Sequence, residues 1–191
     1  APSWDFESAR LKQGMLVGTN LLHERIGRLS YDAKTDPLTG LLNRRAFNQT
    51  LNNWQYAHSN VALIYIDIDH FKKINDTYGH DIGDTVLQQL AKVMRTLSRK
   101  EDLVCRLGGE EFAVLLPEIT PKIAHRMAER LRTKVEQTIF NTVGHITVSI
   151  GVSHWPAHTN DIKELPKTAD LMLYKAKSQG RNRVEILKSS F

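Results

Sequence analysis

Leu11, Met15, Leu22, Ile26 and Leu29 recur at helical spacing near the start of the chain. This stripe predicts a helix over residues 5–29 with coiled-coil character. Gly14, Gly18 and Gly27 weaken it as a free-standing helix, so it is expected to be the end of a longer signalling helix that pairs with a second copy. After the punctuation Asp36-Pro37-Leu38-Thr39-Gly40 the pattern becomes an alternation of helical and strand-like segments. Residues 61–67 (VALIYID) form a nearly continuous apolar run, as in a strand buried on both faces. Helices are predicted at 44–56, from Phe71, at 81–99 and at 121–137. The 81–99 stripe is Ile82, Val86, Leu90, Val93 and Leu97, and Pro121 suits a first helical turn. Segments 103–107 and 111–116 read as strands on either side of the turn Gly108-Gly109-Glu110. A strand at 146–153, a helix at 162–178 and a strand at 184–187 complete the pattern. The expectation is an α/β (α+β sandwich) fold, with helices on a mixed sheet that carries a central antiparallel hairpin. Its units are a linker helix, 1–30, and one domain, 31–191.

Composition narrows this only a little. The 191 residues suffice for one domain with an appendage. No apolar run approaches the roughly 18 residues that span a bilayer, and no secretory signal is visible. Cys105 is the only cysteine, which excludes an intrachain disulfide and fits a reducing compartment. The chain opens without methionine, as expected of a piece of a longer protein. A formal charge of +5 suits a polyanionic ligand but does not choose among nucleotide, nucleic acid and acidic membrane surface. No nucleic-acid reading motif is present, and aromatics do not interleave with the basic residues, so nucleic acid is not an expected partner.

The chemistry gathers around a few acids. Asp67 closes an apolar strand, and Glu110 and Glu111 stand at a tight glycine turn, all in places where strands disfavour carboxylates. If the first strand lies beside the hairpin, Asp67 and Glu110 converge, and two such carboxylates call for a cation between them. Magnesium is the natural candidate, with manganese in its place as the other option, because it takes one or two carboxylates and completes its shell with water and phosphate. Asp69 would share a face with Asp67 but also precedes a helix, and capping that helix is its expected role. Gly108 and Gly109 either make a bare hairpin turn or let backbone approach a ligand. Lys175, Lys177, Arg181 and Arg183 surround Gly180; they either complement a helix end or recognise phosphate. His154, Trp155 and His158 are expected in a solvent-exposed loop.

Five segments occur in a recognisable order: DPLTGLLNRRAF from Asp36, DIDHFKKINDTYGHDIGD from Asp67, RLGGEEF from Arg106, TVSIGVS from Thr147 and DLMLYKAKSQGRNRV from Asp170. Together they resemble the GGDEF family of diguanylate cyclases over residues 35–187, with Glu110 replacing the commoner Asp. The resemblance implies a sheet similar to the palm of nucleotidyl cyclases and polymerases. It implies condensation of two GTP molecules into cyclic di-GMP by a homodimer, one GTP per domain. It assigns Asp67, Glu110 and the carbonyl of Ile68 to the metal, and Asn75 and Asp84 to the guanine edge. Phe71, Lys72, Lys177 and Arg181 fall to the phosphates, the latter two one helical turn apart, and Glu111 to the ribose 3′-hydroxyl. Arg99 and Asp102, with Arg130 from a partner domain, match an inhibitory product site. The alternative is a non-enzymatic receptor for GTP or cyclic di-GMP on the same fold. The implied setting is a cytoplasmic domain, with a sensory region expected upstream of Ala1 through which the parent protein could be membrane-anchored.

Overall fold

The structure is a computed structural model describing residues 4–188, with the side chains of residues 4–9, 29, 30 and 32 left aside. Leu29 of the amino-terminal stripe therefore lies outside the described set. The helices are α1 (Trp4–Lys34), α2 (Arg44–Ala57), α3 (Phe71–Tyr78), α4 (His80–Leu97), α5 (Pro121–Gln137) and α6 (Leu165–Ser178), the last preceded by a 3-10 turn at Ile162–Glu164. The strands are β1 (Val61–Ile68), β2 (Leu103–Gly108), β3 (Glu111–Pro117), β4 (Val148–Trp155) and β5 (Val184–Ile186). They form one sheet in the order β2-β3-β1-β4-β5. β1 runs antiparallel to both β3 and β4, and β4 runs parallel to β5.

The expected hairpin is present, but at one edge of the sheet rather than at its centre. The burial of each strand gives the reason. β1 is apolar on both faces and takes the middle, whereas β2 is mostly half-buried, as suits an edge. On one face Ile64, Ile66, Phe112, Val114 and Ile150 pack with Leu90 and Met94 of α4 and Ala124 and Ala128 of α5. On the other, Leu63, Ala113, Leu115 and Cys105 meet Phe47 and Leu51 of α2 and Leu165 and Ala169 of α6. Each fully buried Leu, Ile or Phe contributes about 1.5–3 kcal/mol. Burial pushes the Cys105 thiol up to about 12, so this cysteine acts as a small apolar residue rather than a nucleophile.

Helix starts follow local chemistry in two cases. Asn43 accepts from the Ala46 N–H and caps α2, and Thr120 accepts from the Ile123 N–H and caps α5, with Pro121 in the first turn. α3 departs from this: its cap position is His70, left-handed at φ 57° and without a side-chain cap bond. Asp69 does not cap that helix, contrary to expectation, because its carboxylate turns towards β4. His154 is not in an exposed loop either. It lies inside β4 and is buried. Its Nε2–H donates to the Ile119 carbonyl at 2.7 Å, and its Nδ1 accepts from the Ala157 N–H at 3.3 Å. Only the neutral ring satisfies both bonds, in keeping with burial pushing its pKa down. His158 stands beside it, with ring centroids 6.1 Å apart.

Candidate active site

The carboxyl end of β1 and the β2–β3 turn meet at one end of the sheet. Asp67 is the cross-strand partner of Glu111 on one side and of Ser149 on the other. The turn between β2 and β3 places Gly109 at φ 47°, a left-handed conformation that glycine adopts without steric cost. A Cβ at Gly108 or Gly109 would meet no heavy atom within 4 Å, so the turn offers bare backbone to whatever lies above it. Its shape is held by Arg106, whose Nε and Nη2 donate to the Gly109 carbonyl at 3.0 and 2.9 Å. The Arg106 Nη1 pairs with Asp36 at 3.1 Å. Burial pushes the Asp36 carboxyl up, but hydrogen bonds from Thr39 and the Arg106 charge outweigh it, leaving the carboxyl below its ordinary value.

Asp67 and Glu110 border one cavity of about 190 Å3, together with Lys177 and Arg181. Ile68, Phe71 and Lys72 line the same space, so seven residues assigned from sequence converge there. Asp67 is buried, and burial raises its pKa. Glu110 and Glu111 add to the rise, while a hydrogen bond and the charge of Lys177 oppose it. Lys177 was expected on phosphate; here its ammonium is ion-paired to the Asp67 carboxylate. Among the described residues no three His, Cys, Asp or Glu side chains gather closely enough to hold a metal by themselves. Two carboxylates with a strand-end carbonyl nonetheless form a hard oxygen donor set. Such a set fits magnesium, which keeps waters and substrate phosphates in its shell, and a buried carboxylate beside a second one favours a cation there.

Other expected residues lie outside this cavity. Glu111 faces a neighbouring cavity of about 290 Å3, beside Tyr65 and Asp170 and 3.7 Å from the Arg44 guanidinium. Asn75 on α3 leans against Gly83 of α4, and its Oδ1 is buried without a hydrogen-bond partner. Asp84, the next residue on α4, is exposed. Lys177 and Arg181 are not one helical turn apart, because α6 ends at Ser178. Gly180, at φ 121°, stops the helix, and the Arg181 N–H closes it by donating to the Ala176 carbonyl at 3.0 Å. Arg181 then enters the cavity from a left-handed position, φ 64°.

Arg99 and Asp102 are locked together. The guanidinium reaches Asp102 Oδ1 at 2.8 Å, the Arg99 N–H reaches Oδ2 at 2.7 Å, and Nη2 also donates to the Pro117 carbonyl at 2.9 Å. The Asp102 side chain is fully buried by this arrangement. A separate cavity opens beside Arg99, bordered by Asn60, Glu118 and His154; Arg130, exposed on α5, does not line it. Sequence reasoning missed the parts played by Arg106, Asp69 and Asn182. A basic residue two positions before a Gly-Gly turn was a usable signal for Arg106, whereas the partners of Asp69 are too distant along the chain to leave one.

Residues 33–183 match the family model described as "Diguanylate cyclase, GGDEF domain". Diguanylate cyclase DgcM of Escherichia coli K12 is 45% identical over 161 residues, 82% of this chain and 39% of the relative. The coiled coil and GGDEF domain of DgcB from Caulobacter crescentus, solved in complex with c-di-GMP, superposes with a TM-score of 0.84. That match has 31% identity and covers 94% of this chain and 98% of that one. The active GGEEF domain of a diguanylate cyclase from Vibrio cholerae gives a TM-score of 0.72 at 35% identity, covering 78% and 99% of the two chains. The chain spans about half or less of the length of the curated relatives it matches. With its sheet, its Gly-Gly-Glu-Glu turn and the acids around it, the chain belongs to the GGDEF family of diguanylate cyclases.

Proposed function

We propose that this domain joins two GTP molecules into cyclic di-GMP, releasing two pyrophosphates. The observation that carries the reading is the single cavity shared by Asp67, Glu110, Lys177 and Arg181. In this reading the 3′-oxygen of one GTP attacks the α-phosphorus of the other, and the bond to the β-phosphate breaks. Magnesium, when bound, neutralises the triphosphate and lowers the pKa of the attacking hydroxyl. Asp67, Glu110 and the Ile68 carbonyl would hold it. Lys177 exchanges its Asp67 partner for phosphate oxygen, a trade open to it because its side chain is only partly covered. Arg181 and the backbone of Phe71 and Lys72 hold the remaining phosphates, so positioning and charge stabilisation supply most of the rate. Asn75 and Asp84 take the guanine edge. Glu111, half exposed on the other side of the turn, is the group that approaches the ribose 3′-hydroxyl.

One such site holds one nucleotide, so the active species is two copies facing each other about a two-fold axis. The linker helix is the means of pairing: Leu11, Met15, Leu22 and Ile26 are all more than half exposed along α1. A helix that leaves such a stripe uncovered is suited to a second copy of itself. Incubation with GTP and magnesium, with product identified by mass, tests the whole reading. Cyclic di-GMP should form at a specific activity that rises with protein concentration, and Glu110→Ala should form none. Absence of product from the unaltered domain over a wide concentration range sinks it.

Product feedback is the finer part of the proposal. Arg99, held in place by the buried Asp102, is suited with a partner domain's Arg130 to cyclic di-GMP, since guanidinium matches phosphate and stacks on guanine. Arg99→Ala is expected to weaken cyclic di-GMP binding by at least about tenfold, the size of a lost charge-assisted contact. The buried Asp102 loses its partner in that variant and destabilises the fold, so affinities are to be compared well below both melting temperatures. Equal affinity in the two proteins removes the inhibitory site.

A further inference from the structure

Asp69 is buried at 6% exposure, and its oxygens are taken by three donors from two distant segments. Oδ1 accepts from the Ser149 hydroxyl at 2.6 Å. Oδ2 accepts from the Thr147 hydroxyl at 2.7 Å and from the Asn182 backbone N–H at 3.0 Å. The Asp69 N–H in turn donates to the Thr147 carbonyl at 3.0 Å. The residue thus fastens the turn that leads into Phe71 and Lys72 both to the start of β4 and to the segment after α6. That last segment is unusual in its backbone: Arg181 and Asn182 are successive left-handed residues, φ 64° and 46°, a conformation that side chains with a Cβ seldom adopt. Such a turn persists where its surroundings over-determine it. Here the Asn182 N–H is held by Asp69, and the Asn182 side chain is held by Arg132 at 3.0 Å and Glu136 at 2.6 Å. Asn182 is therefore pinned on both sides, which leaves Arg181 as the member of the pair that reaches the cavity.

We infer that Asp69 is a positioning residue for the phosphate end of the site, acting through Arg181 rather than through metal. The inference rests on the GTP-binding reading above. A carboxylate serves better than an amide: asparagine keeps the Asn182 N–H bond only by turning its NH2 towards the Ser149 hydroxyl, which then loses its acceptor, and it gives up the charge. Its bonds are charge-assisted, and burial strengthens them.

The test is a double-mutant cycle read with probes for separate parts of the nucleotide. Asp69→Asn is expected to weaken binding of GTP and of inorganic pyrophosphate about tenfold or more, while guanosine and manganese affinities stay within about twofold. In an Arg181→Ala background the same change should add no further loss. Thr147→Val, which removes one donor and keeps the carboxylate, should give a smaller loss in the same direction, and it keeps the inference testable if Asp69→Asn does not fold. A tenfold loss persisting in the Arg181→Ala background overturns the inference, as does equal weakening of guanosine and pyrophosphate. So does a fall in manganese affinity with pyrophosphate binding intact, which makes Asp69 a metal ligand. An unaltered domain that binds neither GTP nor pyrophosphate overturns the functional reading beneath; one that binds both while Asp69→Asn and Thr147→Val bind equally well overturns this inference alone.

Discussion

Asp67→Asn is expected to lower cyclic di-GMP formation by at least about 10³-fold without lowering the melting temperature at neutral pH. The loss of rate follows from removing one of the two carboxylates proposed to hold the cation, since metal-ion charge stabilisation is worth several kcal/mol. The stability half comes from the direction of the Asp67 shift. Burial raises its pKa, reinforced by Glu110 and Glu111, and the Lys177 contact only partly compensates. A carboxyl whose folded pKa exceeds its unfolded value binds its proton more tightly in the folded chain. Its ionised form therefore detracts from stability at neutral pH, and the deficit shrinks as pH falls through the raised folded value towards the ordinary carboxylate range. Asparagine stands in for the neutral form. The lost ion pair subtracts little, because the Lys177 side chain is 37% exposed and such pairs are worth about 0–1 kcal/mol. Melting temperatures of both proteins between pH 7 and pH 4 check this. The variant should match or exceed the unaltered domain at pH 7, with the gap closing on acidification. A variant that melts well below it at pH 7 shows that the Lys177 pair outweighs burial. Charge kept here at the expense of stability is what a site under functional demand displays.

Much of this site was legible because its signals are local. The run 61–67 read as a strand buried on both faces, and the Asp that ends it had to emerge at the end of the sheet where the strand finishes. The glycine turn fixed where Glu110 stands, and hydrophobic spacing fixed α4 and α5 to within two residues at each end. What failed to show in advance depends on partners remote in sequence. Nothing near Asp69 announces Thr147 and Ser149, 78 and 80 residues away, and local capping preference pointed the wrong way. The position of the hairpin at the edge followed from competition among strands for the centre, which no single segment records. Lys177 and Arg181 read as a helical pair because the three-to-four spacing is blind to Gly180, where the helix in fact stops. His154 looked like loop material by composition, yet a carbonyl and an N–H satisfy its ring well enough to bury it.

Gly83→Ala is expected to cut GTP affinity by about 10–100-fold, equivalent to about 1.4–2.8 kcal/mol, although alanine is the better helix former. A Cβ at position 83 would lie 1.9 Å from Asn75 Oδ1 and 3.0 Å from its Cγ, with Phe71 Cζ at 3.4 Å. The amide must swing away, because α3 and α4 are joined tightly through Gly79 and cannot separate to make room. That movement carries off an acceptor the fold has left buried and unpaired. Such an orphan costs about 1–3 kcal/mol in the empty site, a deficit that a guanine N–H donor would cancel on binding. Helix propensity favours the variant by about 1 kcal/mol and overpacking opposes it by about 1–3 kcal/mol, so the melting temperature should fall by no more than several degrees while recognition suffers. The comparison that isolates the effect is GTP against ATP. The unaltered domain should prefer GTP strongly, and Gly83→Ala should lose most of that preference with ATP binding unmoved. Asn75→Ala, which deletes the amide without crowding the corner, should do the same. If both variants keep full GTP affinity, the corner between α3 and α4 does not hold the base, and the unpaired oxygen of Asn75 serves some other end.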